Sequence, residues 1–259
     1  MRNRTIAIQS VVATIMALLS AVAMGAPFND TFESFTPGVT VVGQGEWYAI
    51  TGTTAPRALV QNAAGVAYAG DNYLDLNTIG GGVFSGRRGP IGTPLDSTSN
   101  VVSYAFRIGP RYGTARDEAL YRFTWATGGG SNLARANVYE NGTISYYSPG
   151  ELNAGAVPLL KDEWYLFTYT YDLGSQVNLK VVRALDNSVN LDFNWTTESI
   201  NQTTTYDLEW DNVNFAGVAN GYHALLDNVA IGGAIPEPSS LLLLVSLTPF
   251  SGAMVRRRR

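Results

Sequence analysis

The chain is predicted to be all-β, a two-sheet antiparallel β-sandwich over residues 27–235 flanked by an N-terminal signal helix and a C-terminal transmembrane helix. Three observations predict this. Alternation of apolar and polar residues with period two dominates the middle of the chain, the pattern of strands with one buried face. The composition is turn-rich and low in charge: 27 of 259 residues are glycine and 15% are charged, against about 7% and roughly 25% in ordinary soluble proteins. Both ends carry apolar runs beside arginines, whereas residues 27–235 hold no internal repeat and no low-complexity linker. With 46% hydrophobic and 11% aromatic residues, there is material for one sizeable core.

Taken in order, Val102, Tyr104, Phe106 and Ile108 alternate with Ser103, Ala105 and Arg107, and Tyr121, Phe123 and Trp125 alternate with Arg122 and Thr124. Each run predicts a strand with one buried face. Asn141-Gly142 stands between the β-prone runs starting at Val138 and ending at Tyr146, and such a pair supplies the positive φ angles of a tight hairpin turn. Tyr165, Phe167, Tyr169 and Tyr171 fall on one face of the next strand; the stripe is either a sugar platform or core, and four rings at that spacing bury most area as core under a second sheet. A turn at Gly174 leads into a strand from Val177 to Val182, and Thr196 to Thr205 is a polar loop with sequons at Asn194 and Asn201. Gly80-Gly81-Gly82 and Gly128-Gly129-Gly130 precede neither a helical pattern nor a lysine, so they read as loops, not phosphate cradles.

Counting excludes most familiar chemistry. Without cysteine there are no disulfides, thiolate nucleophiles or Cys-ligated metals, and with one histidine, His223, no multi-histidine site. His223 reads as a packed or hydrogen-bonded structural residue.

Residues 1–26 carry Arg2 and Arg4, an apolar run from Ile6 to Ala23, and Ala21-Val22-Ala23 as a small-residue cleavage signal. That is the pattern of a secretory signal peptide, with an uncleaved membrane anchor as the alternative because the run is close to the length of a spanning helix. Residues 236–259 hold Pro236-Glu237-Pro238, an apolar stretch from Ser239 to Val255, and Arg256, Arg257, Arg258 and Arg259. A helix over that stretch is roughly 25 Å long, enough for a thin bilayer, and the arginines would stay on the cytoplasmic side. This order of parts closely resembles the PEP-CTERM sorting signal of Gram-negative bacteria. The resemblance implies an inner-membrane precursor, recognition by exosortase, and release to the cell surface or extracellular matrix. The two ends take six of the 17 basic residues and one of the 21 acidic ones, leaving 11 against 20, a net of −9 over residues 27–235. Such a surface repels nucleic acid and anionic polymers and favours divalent cations or neutral glycans.

Trp164-Tyr165 leading to Thr170-Tyr171-Asp172, with Phe32-Glu33-Ser34-Phe35-Thr36-Pro37-Gly38, Gly45-Glu46-Trp47 and Leu226-Asp227-Asn228-Val229-Ala230-Ile231, is similar to concanavalin A-like, laminin-G-like domains. The resemblance implies a jelly roll whose first and last strands lie side by side. On the closing strand His223, Leu225, Asp227, Val229 and Ile231 are expected to share one inward face, so Asp227 is a carboxylate among apolar neighbours and needs a cation or several donors. The resemblance implies a structural calcium there with Glu33 as second ligand, and oxygen ligands alone suit calcium. A pairing with arginine, or satisfaction by backbone donors, stands beside it.

Asp207, Glu209 and Asp211 alternate along one strand face, similar to the Glu-x-Asp-x-Glu motif of jelly-roll endoglucanases with the acid types reversed. The outer pair is about 13 Å apart, whereas retaining glycosidases need roughly 5–5.5 Å; adjacent pairs at two-residue spacing could still reach it. Trp47, Trp125, Trp195 and Trp210 are candidates for sugar stacking or for core. Two functions are expected to compete: a non-enzymatic matrix or biofilm protein whose lectin-like domain binds extracellular polysaccharide, and a glycan-cleaving hydrolase or lyase using the acidic cluster.

Overall fold

A computed structural model describes residues 28–49, 58–76, 84–88, 100–108, 119–127, 132–139, 141–147, 151–153, 157–197, 206–211 and 224–232. The signal peptide and the sorting signal, with Pro236, Glu237, Pro238 and Arg256 to Arg259, lie outside the described residues, as do His223, the two glycine triplets and Asn201. Among the described residues there is no helix, and fifteen strands form two antiparallel sheets.

Sheet A has the order β13 (Val189–Thr196), β12 (Gln176–Arg183), β11 (Trp164–Tyr171), β6 (Val101–Ile108), β15 (Ala224–Ile231), β4 (Tyr73–Leu76) and β3 (Ala58–Gln61), with β1 (Phe28–Asp30) also on β15. Sheet B runs β10 (Glu151–Asn153), β9 (Ile144–Tyr147), β8 (Asn132–Tyr139), β7 (Ala119–Thr127), β14 (Tyr206–Asp211), β5 (Phe84–Arg88) and β2 (Trp47–Ala49). The first and last strands do lie side by side, Phe28 opposite Ile231.

The core lies between the sheets and is aromatic. Tyr165, Phe167, Tyr169 and Tyr171 are all buried in it, as are Trp47, Trp125, Trp195 and Trp210, which therefore offer no surface to a sugar. Tyr104 of sheet A stacks on Phe167 at 5.2 Å and meets Trp210 of sheet B edge-on at 5.5 Å. Phe123 of sheet B lies 4.7 Å from Tyr169. Such pairs contribute about 0.5–1.5 kcal/mol beyond their buried area.

Two expectations need correction. The Asn141-Gly142 turn forms, but Gly142 alone takes a positive φ, +82°, while Asn141 does not. Gly142 N–H donates to Tyr139 O and Tyr139 N–H to Thr143 O, the bonding of a longer loop closed by a glycine bulge. A side chain at Gly142 would run into the Leu159 backbone. The closing strand departs further: its register on β6 shifts between Asp227 and Ala230, and Asn228 has φ +48°. The bulge reverses the alternation. Leu226, Val229 and Ile231 join the core between the sheets, whereas Leu225 and Asp227 stand opposite Arg107 and Ala105, outward positions of β6.

Candidate functional site

The outer faces of the two sheets differ in kind. Residues 62–72, joining β3 to β4, cover the outer face of sheet A. Tyr68 packs there with Ala105, Leu166 and Ala230 in a second small core, against which Ala69 and Trp164 rest, and Trp164 Nε1 donates to Val66 O. This cover explains why Ser103, Ala105 and all of β15 are buried although they alternate across the sheet.

Asp227 lies beneath the cover with no exposed surface. Its Oδ2 accepts from the N–H groups of Tyr68 (2.9 Å) and Ala69 (3.1 Å), and its Oδ1 from Asn228 N–H (2.7 Å). Glu33 Oε1 accepts from the next two donors of the same segment, Asp71 and Asn72, at 2.9 Å each. The Glu33 carboxylate occupies the space a Cβ on Gly70 would need. Two carboxylates thus grip four amides of one loop. Burial pushes the Asp227 carboxyl up to about 7 against the pull of its three backbone donors, and nearby Glu33 raises it further. Among the described residues no group of three or more acidic or histidine side chains could enclose a metal. Asn228, next in sequence to Asp227, buries its Oδ1 without a hydrogen-bond partner among the described residues.

The outer face of sheet B is polar. On β14, Leu208 and Trp210 point into the core, so Glu209 points outward, and Tyr48 Oη donates to its Oε1 at 3.3 Å. Opposite Glu209 on β7 stands Thr124, and opposite Thr124 on β8 stands Arg135. One step along, Arg122 Nε donates to Asn137 Oδ1 (3.0 Å), Asn137 Nδ2 to Ser145 Oγ (3.3 Å), and Ser145 Oγ to Tyr139 Oη (3.4 Å). Thr124, Asn137 and Ser145 are 5%, 2% and 4% exposed. Small polar side chains this enclosed offer little surface themselves, but they orient the partly exposed Tyr48, Arg122, Arg135, Tyr139 and Glu209 beside them.

Asp207 and Asp211 hold the register positions on either side of Glu209, opposite Ala126 and Arg122; their side chains lie outside the described residues. The sequence singled out Glu209 but not Tyr48, Thr124, Arg122, Arg135, Asn137, Ser145 or Tyr139. These come from four further strands, and only the sheet order brings them together.

No family model matches the sequence, and no curated protein matches it. Solved structures do match in shape. A GH131 beta-glucanase catalytic domain from Podospora anserina is similar at a TM-score of 0.56 and 8% identity, over 83% of this chain and 99% of that one. The catalytic domain of a glycoside hydrolase family 131 protein from Coprinopsis cinerea gives 0.52 and 13%, over 82% and 96%. A conserved carbohydrate esterase from Shiga toxin-encoding bacteriophage phi24B gives 0.53 and 15%, over 80% and 97%. At these identities the likeness shows the fold alone, a two-sheet antiparallel jelly-roll sandwich.

Proposed function

We propose that this chain is an exported, surface-sorted protein of the extracellular matrix whose jelly roll binds neutral polysaccharide on the outer face of sheet B without cutting it. The observation that carries the reading is the hydrogen-bonded polar row of that face, in which the enclosed Thr124, Asn137 and Ser145 lie beside the partly exposed Tyr48, Glu209, Arg122 and Tyr139. Fixed hydroxyl, amide and guanidinium groups side by side match the alternating donors and acceptors of sugar hydroxyls. Both carbohydrate-active enzymes and this chain use the same scaffold, which supports a glycan as ligand; fold alone does not choose between binding and cleavage. Binding is favoured because Glu209 is tied to Tyr48 and because the outer two acids of its strand, Asp207 and Asp211, are about 13 Å apart along the backbone, well beyond the roughly 5–5.5 Å of a retaining pair.

Export and sorting rest on the sequence of residues 1–26 and 236–259, with exosortase as processing partner. Structural calcium at Asp227 and Glu33 belongs to the same proposal. It is supported by the all-oxygen donor set and by the raised proton affinity of Asp227, the mark of a buried negative charge short of positive compensation.

Glycan-array screening followed by titration calorimetry tests the binding face. Wild type is expected to bind a neutral polysaccharide, and Glu209→Gln and Tyr48→Phe to weaken it about tenfold or more, equivalent to about 1.4 kcal/mol, with nearly unchanged melting. Equal affinity in both variants would overturn the site, and release of reducing ends from the bound glycan would replace binding with cleavage.

A further inference from the structure

We infer that the outer face of sheet A carries a second sugar site at Trp164, which takes one pyranose ring of a neutral polysaccharide and makes the domain bivalent. That the ligand is a glycan rests on the function proposed above; the place of the site does not. The chain has five tryptophans, all among the described residues. Trp47, Trp125, Trp195 and Trp210 are at most 5% exposed, whereas Trp164 is partly exposed.

Trp164 stands at the margin of the cover over sheet A. Tyr165 and Phe167 point into the core, so Trp164, at the start of β11, points outward. The cover holds its indole: Nε1 donates to Val66 O at 3.1 Å, and the Tyr68 ring meets it edge-on at 5.9 Å. A ring fixed in this way costs a ligand little ordering. On the β12 side Ala184 N–H donates to Trp164 O, Ala184 packs against the same small core, and Leu185, next in the chain, is an exposed apolar residue.

Polar groups stand on the β6 side. Arg107 is directly opposite Trp164 and points outward with it, since Phe106 and Ile108 point into the core; Cβ atoms of such a pair are about 4.5–5.5 Å apart. Arg107 Nη2 donates to Oδ1 of the half-exposed Asp162 at 3.3 Å. Asp162 has φ +63°, held by the bond from its N–H to Ile108 O at 2.8 Å. That backbone is uncommon outside glycine, and here it accompanies a carboxylate set beside the guanidinium. An indole face offers apolar contact to the C–H groups of a pyranose, while a neighbouring carboxylate accepts from its hydroxyls and a guanidinium donates to them. Each charge of the pair repels one sign of ion, so a neutral ring suits the site better than an anion or a cation. Stacked sheets lie about 10 Å apart, which puts Trp164 and the polar row of sheet B on opposite sides of the domain. Two such sites cross-link separate polysaccharide chains.

Acrylamide quenching of tryptophan fluorescence in the full chain reads this site, because the other four indoles are shielded by the core. The probes are cellohexaose, laminarihexaose and mannohexaose. At about 10 mM, enough to fill most of a site with a dissociation constant of about 1 mM, at least one hexaose is expected to cut the quenching constant about threefold or more. Glu209→Gln should keep that protection. Asp162→Gly removes the carboxylate at a positive φ that suits glycine, so it should weaken the protecting hexaose about fivefold or more with nearly unchanged melting. Quenching that none of the three hexaoses changes would overturn the site, as would protection that Glu209→Gln abolishes or that Asp162→Gly leaves at full strength. If Glu209→Gln and Tyr48→Phe bind glycan as wild type does while Trp164 is still protected, the sheet B reading falls and this site stands.

Discussion

Asp227 is a carboxylate that the fold encloses with three amides and no described counter-charge. Its folded-state value of about 7 lies above the 3.8 of an ordinary aspartate, so between the two the native state binds more protons than the unfolded chain. Stability from this group is therefore greatest in acid, declines as pH rises toward 7, and is level above that. The gap corresponds to roughly 4 kcal/mol at most. Asp172 and Asp186 have lowered values from the amides and the serine hydroxyl that bond them, and their contributions are complete above about pH 4, leaving a clean window. In chelator, urea unfolding should give a lower midpoint at pH 8 than at pH 5, and Asp227→Asn should flatten the difference. Calcium at a hundredfold above its dissociation constant should restore about 2.7 kcal/mol at pH 8 in wild type only. A midpoint indifferent to chelator, calcium and pH in wild type would sink both the metal and the raised carboxyl.

Among the elements, those with one covered face were legible and those with two were not. β6, β7 and β11 alternate as their sequences do, because their inward rings are large and regularly spaced. β15 misled because all eight of its residues are buried; with apolar side chains on both faces, alternation carries no sign of which face is which, and the bulge at Asn228 changes phase unseen. The covering loop was illegible for a different reason: it is held by backbone amides, which every sequence possesses. Asn72 is its anchor to the opening segment, its Nδ2 donating to Phe32 O at 2.9 Å and Phe35 O at 3.2 Å from a 6% exposed position. Asn72→Ala leaves the buried Phe32 carbonyl without that donor and should cost about 2 kcal/mol. Hydrogen exchange should rise first at residues 68–72, before the strands. Uniform loss of protection across both sheets would show that the loop is not a separate unit of stability.

At the scale of the whole molecule, the sandwich closes one outer face with apolar cover and leaves polar, hydrogen-bonded groups on the other, and it is on this asymmetry that the proposal of sheet B as the binding side rests. One acid of that side was legible as Glu209, but Tyr48, Arg122, Asn137 and Ser145 are scattered over almost a hundred positions of sequence, so no motif could announce them. Net charge bears on the ligand. With both ends removed the domain carries −9, so an anionic polymer must approach against a repulsion that salt relieves, while a neutral glycan meets hydrogen-bonding groups whose strength salt hardly alters. Affinity for the neutral polysaccharide should therefore change less than about twofold between 50 and 500 mM salt, and an acidic polysaccharide should bind weakly at 50 mM and gain as salt rises. Affinity that instead falls steeply with salt would mean that Arg122 and Arg135 act as an anion site, and the neutral-glycan reading would give way to an acidic one.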